Sequence, residues 1–384
     1  MKKIILTGIL LILIVIGVFA LVNSQQPPAI SASIIGLQAS DSMAGYARAT
    51  QVRDLVFPAD HGPHPEYQTE WWYYTGNLDA ADERHYGYQL TFFRRAITPT
   101  EIARASDWAT NQIYFAHFAL TDAARNTHDA TERFSRGAAG LAGATGDPFH
   151  VWLETWDATS FNADGSSVQL RADDAGRSLN LTLTSTKPIA LQGDRGLSQK
   201  SANADAGNAS YYYSFTRLAT TGTITVNGET FAVTGNSWMD HEWSTAVLGA
   251  NAVGWDWFSI QLSDQRELML FQIRQKDGSI EPLSSGTLIE PDGTTRHLTR
   301  DQFKIETPST WKSNATGAAY PSAWNIAVPS ANLLLALKPY IADQEMRVSI
   351  VYWEGAVNIS GQSNGRAVRG SGFVEMTGYA PIGK

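Results

Sequence analysis

The 384-residue sequence contains no cysteine. This absence excludes disulfide frameworks, thiol nucleophiles, and zinc or iron–sulfur sites with cysteine ligands. Basic residues are in the minority, since 29 Lys and Arg stand against 37 Asp and Glu and give a net charge of −8. A chain with this charge is poorly suited to binding nucleic acid. The sequence also lacks a glycine-rich phosphate-binding loop, and no cofactor is predicted.

Aromatic residues, by contrast, are abundant: the chain has 12 Trp, 14 Tyr and 15 Phe. With 43% hydrophobic and 17% charged residues, it can bury a substantial core and is not disordered. The length corresponds to two domains or to one large all-β unit. The aromatic residues are clustered, and the fold must account for that clustering.

The N-terminus carries the one long apolar run of the sequence. Residues 4–22 follow two lysines and are long enough to cross a membrane once. Residues 1–24 are therefore predicted to be either a cleaved signal peptide or a retained membrane anchor. Both alternatives place the body of the protein on the periplasmic or extracellular side. Residues 25–52, rich in Ser, Ala, Gln and Pro, are predicted to be a linker.

The rest of the chain has the pattern of a β protein. Short segments rich in aromatic and β-branched residues alternate with Gly, Asp, Asn and Ser clusters, which is typical of sandwiches and barrels. Asn227-Gly228, placed between alternating apolar residues, predicts a two-residue hairpin turn. No convincing long amphipathic helix is present.

Four segments recur later in the chain in the same order, which indicates an internal duplication. The matched pairs are Trp71–Leu78 with Trp255–Leu262, Leu90–Arg94 with Leu270–Arg274, Leu181–Pro188 with Leu333–Pro339, and Gly222–Asp240 with Gly355–Glu375. In the last pair, the turn at Asn227-Gly228 is aligned with Ser360-Gly361. We therefore predict an all-β fold of two tandem lipocalin-like antiparallel β-barrel domains, residues 53–243 and 244–384, each able to enclose a ligand-sized cavity.

The first candidate site lies at the start of the first repeat. Four side chains there could in principle bind a divalent metal: His61, His64, Glu66 and Glu70. The prolines before Glu66 prevent the helix that usually presents such a set, and no third histidine is nearby in the sequence. No metal site is predicted.

The strand that follows alternates between two faces. Glu70, Trp72 and Tyr74 share one face, while Trp71 and Tyr73 share the other. One face therefore holds a carboxylate among aromatic side chains, which is a candidate acid. The structural alternative is a glutamate paired with one of the two consecutive arginines of the next strand.

The second candidate site is the segment Asp240–Trp243, where an acid, an imidazole, a second acid and an indole follow one another at the end of the first repeat. Ligand sites often lie between domains. The matching segment that begins at Glu375 lacks His and Trp, and this asymmetry favours a functional role. The alternative is a buried His–Asp pair that stabilises the linker. His117 is interpreted either as a satisfied core histidine or as a polar group of a ligand pocket.

Several of these motifs resemble the carotenoid 1,2-hydratase (hydroxyneurosporene synthase) family. They are His64–Leu78, Asp240–Trp243, Tyr352–Val357 and Gly372–Tyr379. The similarity extends over residues 56–379 and is greater to the secreted relatives of that family, which are labelled as hydrolases or lipocalin-like attachment proteins. It implies two tandem lipocalin-like domains that meet at a hydrophobic pocket. Because those relatives commonly occur beside transporter components, it also implies the handling of lipid or other apolar cargo in the cell envelope.

The hydratase branch implies a specific chemistry. A carboxylic acid kept neutral in an apolar site protonates an isolated C=C bond, and water captures the cation. His241 and Trp243 match the hydratase motif, but Gln272 stands where the resemblance places the acid, and an amide cannot deliver the proton. Three acids could replace it: Asp240, Asp256 and Glu70.

These observations predict an exported protein that binds an apolar isoprenoid or lipid molecule at the domain junction. Two alternatives remain open: an enzyme that hydrates, cyclises or hydrolyses such a molecule by acid catalysis, and an envelope adaptor of a transporter system. The catalytic candidates are Asp240, His241, Trp243 and Glu70. The ligand-binding candidates are Trp71, Trp72, Tyr73, Tyr74, His117, Trp255, Trp257 and Gln272. The predicted partners are the apolar small molecule, transporter components, and a membrane through the N-terminal segment.

Overall fold

A computed structural model describes residues 43–101, 104–202, 207–246 and 248–380 of the chain. Regular structure in these ranges is almost entirely β-strand, with short 3-10 helices at Ala59–His61, Arg300–Gln302 and Pro329–Ala331. The strands of the first repeat are β1 (Thr69–Ala80), β2 (His85–Ala96), β3 (Gln112–Asp122), β4 (Thr127–Arg136), β5 (Ala142–Gly146), β6 (Phe149–Leu153), β7 (Trp156–Ser160), β8 (Ser167–Asp174), β9 (Arg177–Ser185), β10 (Ala190–Leu191), β11 (Leu197–Gln199), β12 (Ala209–Val226) and β13 (Glu229–Ser244). Those of the second repeat are β14 (Ala252–Leu262), β15 (Glu267–Gln275), β16 (Ser285–Ile289), β17 (Thr295–Thr299), β18 (Lys304–Lys312), β19 (Ala319–Val328), β20 (Leu333–Pro339), β21 (Glu345–Arg347), β22 (Val351–Ser363) and β23 (Arg366–Met376).

In the described ranges, the strands form two antiparallel sheets, one for each repeat. The first has 13 strands with the main order β4-β3-β2-β1-β13-β12-β9-β8-β7-β6-β5, and β10 and β11 pair with β12. The second has 10 strands in the order β17-β16-β15-β14-β23-β22-β20-β19-β18, and β21 pairs with β22. The first sheet forms a nearly closed barrel and the second a half-barrel. The predicted all-β fold of two lipocalin-like units is therefore confirmed, with the second unit open rather than closed.

The two sheets repeat one order of strands. The path from β4 to β7 in the first sheet matches the path from β17 to β18 in the second, and β5 and β6 are additions to the first. The cross-strand register matches too, because Tyr73 lies opposite Asp240 and Trp257 lies opposite Glu375. These residues are the pairs aligned by sequence, so the internal duplication is confirmed at the level of individual residues.

One detail of the predicted alignment is wrong. The hairpin turn of the second repeat lies at Asn364-Gly365, with positive φ of 52° and 75°, and it corresponds to Asn227-Gly228, with φ of 52° and 81°. Ser360-Gly361 lie inside β22. The alignment places the turn at the same distance after Gly355 as after Gly222, whereas the turn at Asn364 lies four residues beyond Ser360.

Strand β1 is buried on both of its faces. Trp72 and Tyr74 belong to the core of the first barrel, whereas Tyr73 belongs to a separate cluster with Trp257 and Phe373 of the second sheet. A strand covered on both faces loses the alternation of apolar and polar residues. This double burial accounts for the four consecutive aromatic residues near the start of β1.

The described end of the predicted linker packs against the first barrel. Ala49 is fully buried, and the Tyr46 hydroxyl donates a hydrogen bond to the Ala96 carbonyl at 3.0 Å. Residues 1–42, with the apolar run predicted to be a signal peptide or anchor, lie outside the described residues. Within the described ranges, no helix is long and apolar enough to cross a membrane.

A buried ion cluster fastens the two repeats to each other. Lys187 Nζ donates to Glu267 Oε2 at 2.6 Å, and Arg217 Nε donates to Glu267 Oε1 at 2.5 Å. The two cations belong to the first repeat and the carboxylate to the second. Their side chains are 5%, 9% and 0% exposed, respectively. Loss of the carboxylate would leave two positive charges buried beside each other.

We expect Glu267→Ala to lower the free energy of unfolding by about 3 kcal/mol, because removing one partner of a buried ion pair leaves uncompensated charge. Urea denaturation measures this loss. The control is Glu306→Ala, since the Lys304–Glu306 pair is 72% and 53% exposed and exposed pairs contribute little. Equal effects of the two substitutions would contradict the role of the cluster.

Candidate functional site

The predicted site residues separate into two environments because β1 and β13 are covered on both faces. Glu70 and His241 lie inside the first barrel, where they hydrogen-bond to each other at 2.9 Å. Trp71, Tyr73 and Asp240 instead line a cavity at the junction with the second sheet. The prediction that Asp240 and His241 share one pocket is therefore wrong. They are consecutive strand residues, and consecutive side chains point to opposite faces.

Inside the barrel, Glu70 is the centre of a hydrogen-bond network. Its Oε1 lies 2.7 Å from His64 Nδ1 and 2.9 Å from His241 Nε2, while Arg94 Nε donates to Oε2 at 2.7 Å. Burial acts to raise the pKa of Glu70, but Arg94 and the two histidines outweigh burial and hold that pKa well below its usual value. Glu70 is therefore a carboxylate paired with arginine, which is the structural alternative considered from the sequence.

Aromatic rings hold the two imidazoles of this network in place. His64 stacks on Trp243 with ring centroids 3.8 Å apart, and His241 stacks on Trp72 at 4.8 Å. Burial, more than any other influence, lowers the pKa of His241 to about 4. His241 is thus neutral at neutral pH, and its side chain is fully buried in the barrel.

The fold brings three potential metal ligands together inside the barrel. The sequence offers no third histidine near His64, but β13 brings His241 beside it, so that ligand atoms of His64, Glu70 and His241 lie within 4.8 Å of one another. The guanidinium of Arg94 contacts the same carboxylate. A cation there opposes the binding of a divalent metal ion by electrostatic repulsion. The absence of a metal stays a prediction.

The second environment is a cavity of about 110 Å³ between the two sheets. Nine of its 21 lining residues are aromatic. The lining residues are Thr69, Trp71, Tyr73, Gln89, Thr91, Phe93, Arg95, Phe115, Lys200, Tyr212, Asp240, Glu242, Thr245, Leu248, Trp255, Trp257, Phe271, Ile273, Tyr352, Glu354 and Glu375. We call this cavity the junction pocket. Three predicted ligand-binding residues besides Tyr73 lie in it, namely Trp71, Trp255 and Trp257.

Four carboxyl groups line the junction pocket; Glu242 is paired with Lys200, and Asp240 is one of the other three. It accepts hydrogen bonds from Ser214 Oγ at 2.5 Å, from Trp238 Nε1 at 2.6 Å and from the Tyr212 hydroxyl at 2.7 Å. Burial nevertheless dominates and raises the pKa of Asp240 to about 7. The carboxyl therefore exchanges a proton near neutral pH.

Glu375 and Glu354 are the other two carboxyl groups, and both come from the second repeat. Glu375 Oε1 accepts from Trp255 Nε1 at 2.9 Å, and Glu354 Oε1 accepts from the Tyr73 hydroxyl at 2.6 Å. Burial raises the pKa of Glu375 to about 8, and burial together with the nearby Glu375 raises the pKa of Glu354 well above its usual range. Oε2 of Glu354 has no hydrogen-bond partner within the described part of the chain. A protonated Glu354 therefore has an unengaged acidic hydrogen.

The contacts across the junction follow the internal duplication. Tyr73 on β1 donates to Glu354 on β22 of the other repeat. The equivalent residue of the second repeat, Trp257 on β14, donates through Nε1 to the Tyr212 hydroxyl on β12 at 3.1 Å. Each repeat thus contributes one aromatic hydrogen-bond donor to its neighbour, and the pocket needs both repeats.

An ion pair lies among these walls. Lys200 Nζ is 3.2 Å from Glu242 Oε1, and it lies 4.1 Å from the ring centroid of Phe271. Both charged side chains are less than one-tenth exposed. The pair gives one end of the pocket a polar character.

Besides Glu70 and His241, five predicted site residues lie outside the junction pocket. Trp72, Tyr74 and Trp243 belong to the core of the first barrel. Gln272 donates to Asp256 Oδ2 at 3.0 Å, on the face of β15 away from the pocket. His117 Nδ1 is 2.8 Å from the hydroxyl of the pocket residue Tyr352, and burial lowers the pKa of His117 to about 3.

Sequence reasoning missed the acid pair of the second repeat. Glu354 and Glu375 both lie in segments that resemble the hydratase family, and Glu375 is also aligned with Asp240, but neither is among the predicted site residues. That alignment was the available signal, because Asp240 and Glu375 occupy equivalent positions and both line the pocket. Glu354 carries no local signal, since its position depends on contacts between the repeats.

The family is shown by a match of residues 48–379 to the model of the AttH-like family. The chain belongs to the AttH-like family. None of the curated proteins matches the sequence.

Three solved structures share the fold of this AttH-like protein. A Nitrosomonas europaea protein assigned as AttH is 36% identical, with a TM-score of 0.77, 87% of this chain covered and 100% of that chain. Kievitone hydratase from Nectria haematococca is 15% identical, with a TM-score of 0.65 and coverage of 86% and 95%. CghA in complex with Sch210972 is 13% identical, with a TM-score of 0.54 and coverage of 90% and 97%.

The raised pKa of Asp240 makes stability depend on pH. Between the ordinary value of 3.8 and the folded value of about 7, the folded protein holds a proton on Asp240 that the unfolded chain releases. The contribution of Asp240 to stability therefore decreases as pH rises through this window.

We expect Asp240→Asn, which stays neutral, to gain stability over the natural protein by up to about 1.4 kcal/mol per pH unit between pH 4 and 7. Urea denaturation over this range measures the difference, with exposed Glu306→Gln as the control. A difference that stays constant with pH would mean that folded Asp240 is ionised throughout.

Proposed function

We propose that the protein binds an apolar small molecule of isoprenoid or lipid type in the junction pocket. The observation that carries this proposal is a cavity between the two sheets whose walls include Trp71, Trp255, Trp257 and Phe271. Ligand pockets are concave, mostly apolar, and equipped with a few polar groups that fix orientation. CghA, which shares the fold, was solved with the small molecule Sch210972, and this supports the proposal.

The size of the pocket limits what it holds. Its volume of about 110 Å³ is below that of a cavity of about 150 Å³ that binds benzene. The pocket therefore accommodates one end or segment of an isoprenoid chain, and the remainder of a longer ligand extends past the rim. Trp71, Phe93, Leu248 and Trp255 are partly exposed at this rim.

Export and a place in the cell envelope belong to this proposal. They rest on the apolar run of residues 4–22 and on the secreted relatives implied by the sequence resemblance. Contact with transporter components is the corresponding proposal for a partner.

We expect mass spectrometry of solvent extracts to detect an apolar molecule that co-purifies with the protein. In titrations with farnesol, followed by tryptophan fluorescence, Trp255→Leu should weaken binding about tenfold, because it removes an aromatic wall. Trp108→Leu is the matched control, since Trp108 is 54% exposed and lies outside the pocket. Empty extracts together with no farnesol binding would refute the proposal.

A second function, acid-catalysed hydration of a C=C bond in such a ligand, is favoured by the protonated carboxyl groups. Glu354 would donate the proton of its unengaged oxygen to one alkene carbon. The aromatic walls would stabilise the cation that forms on the other carbon, and water would add to it. The water then returns a proton to the Glu354 carboxylate, so the net reaction is addition of one water molecule. Kievitone hydratase, which shares the fold, supports this alternative.

The proposed acid, Glu354, differs from the acids that the sequence suggests. Glu70 is held ionised by Arg94 and His64, and a carboxylate cannot donate a proton. His241 lies on the barrel side of β13 and contacts Glu70 rather than the pocket. Of the original candidates, Asp240 keeps a place beside the pocket, as a second acid or as a base for the attacking water.

We expect Glu354→Gln to abolish hydration of an isoprenoid alcohol while leaving its binding within about twofold, because glutamine keeps the shape but not the acid. Incubation in D₂O followed by mass spectrometry measures deuterium and water added to the alkene. The natural rate should fall at high pH, where Glu354, whose pKa is raised well above its usual range by burial and by the nearby Glu375, loses its proton. Full activity of Glu354→Gln would refute the assignment of the acid.

A further inference from the structure

We infer that the apolar chain of the ligand lies along a row of four aromatic side chains that leads from the junction pocket to the protein surface. The row consists of Trp71, Phe93, Phe115 and Phe134. This inference rests on the proposed binding function and specifies its ligand as an elongated chain rather than a compact molecule.

The strand register places these four residues side by side. Trp71 on β1 lies opposite Phe93 on β2, Phe93 lies opposite Phe115 on β3, and Phe115 lies opposite Phe134 on β4. Directly opposed residues in neighbouring strands share one face of a sheet. The four side chains therefore form a continuous line across four strands, on the face that looks away from the barrel core.

The rings along this line are stacked. The centroids of Phe93 and Phe115 are 4.5 Å apart with an angle of 9° between the ring planes. Those of Phe115 and Phe134 are 5.6 Å apart with an angle of 21°. The three stacked rings form a continuous apolar row of ring edges, and the middle ring, Phe115, is buried and contacts the pocket.

The outer end of the row is exposed to solvent. Phe134 is 49% exposed, and it lies in β4, where most other residues are polar or charged. The inner three residues line the junction pocket, whereas Phe134 lies beyond it. An exposed aromatic side chain that continues a pocket wall extends the apolar surface available to a ligand.

The inner end of the row differs in character. On β13 the residue opposite Trp71 is Glu242, which is paired with Lys200. The row thus runs from an ion pair to an exposed ring, which matches a ligand with one polar or reactive end and one apolar chain. Neighbouring strands are about 4.8 Å apart, so the row from β1 to β4 spans about 14 Å. This length suits an extended chain that the small pocket cannot enclose.

The test uses geraniol, farnesol and geranylgeraniol, which share a head group and differ in chain length. With the natural protein, affinity measured by tryptophan fluorescence should rise along this series. Phe134→Ser should weaken geranylgeraniol binding about fivefold, because it removes the outermost ring, and should leave geraniol binding unchanged. Phe134→Trp should preserve the affinity for geranylgeraniol.

Phe161→Ser is the matched control, since Phe161 is 59% exposed and lies in the β7–β8 connection. It should change none of the three affinities. If the alcohols bind but Phe134→Ser weakens all of them equally or none, the inference fails while binding in the pocket stands. If none of the alcohols binds and solvent extracts are empty, the proposed function fails and the inference with it.

Discussion

The double burial of the β1–β13 strand pair is the constraint on which the rest of the structure depends. One face of this pair closes the first barrel, and the other meets the second repeat. Because side chains alternate along a strand, consecutive residues serve separate environments a few ångströms apart. Glu70 and His241 belong to the barrel, whereas Tyr73 and Asp240 belong to the junction. The pKa values of the buried carboxyl groups therefore shift in different directions in the two environments.

The two environments treat their carboxyl groups in opposite ways. In the barrel, Arg94 neutralises Glu70 and keeps it ionised despite complete burial. In the junction pocket, Lys200 is already paired with Glu242, so burial prevails at Asp240 and Glu375 and their pKa values rise. A buried carboxyl without a cation of its own takes up a proton rather than a charge. The barrel network is therefore suited to structure, and the pocket carboxyls are suited to proton exchange.

Sequence patterns could predict the features that depend on local order. Strand alternation and turn residues gave the all-β class, and the repeated segments gave a register in which Asp240 and Glu375 are equivalent, as the structure confirms. The composition of the site could not be predicted in the same way. His241 joins His64 through pairing of β1 with β13, and Glu354 reaches Tyr73 through packing of one repeat on the other. Contacts between distant segments leave no periodic trace in the sequence.

The internal duplication indicates which residues build the pocket. His241 and Trp243, which are present in one repeat alone, suggest function from the sequence, yet His241 hydrogen-bonds Glu70 inside the barrel and Trp243 belongs to the barrel core. Asp240 and Glu375, which occupy equivalent positions, line the pocket. Each repeat also keeps an arginine on its barrel side, because Arg274 of the second repeat contacts Asp256 as Arg94 of the first contacts Glu70. A pocket between two related units is lined by equivalent faces of both, so equivalent strand positions identify its walls, although the residue types differ at some of them, as at Glu354 and its counterpart Ser214.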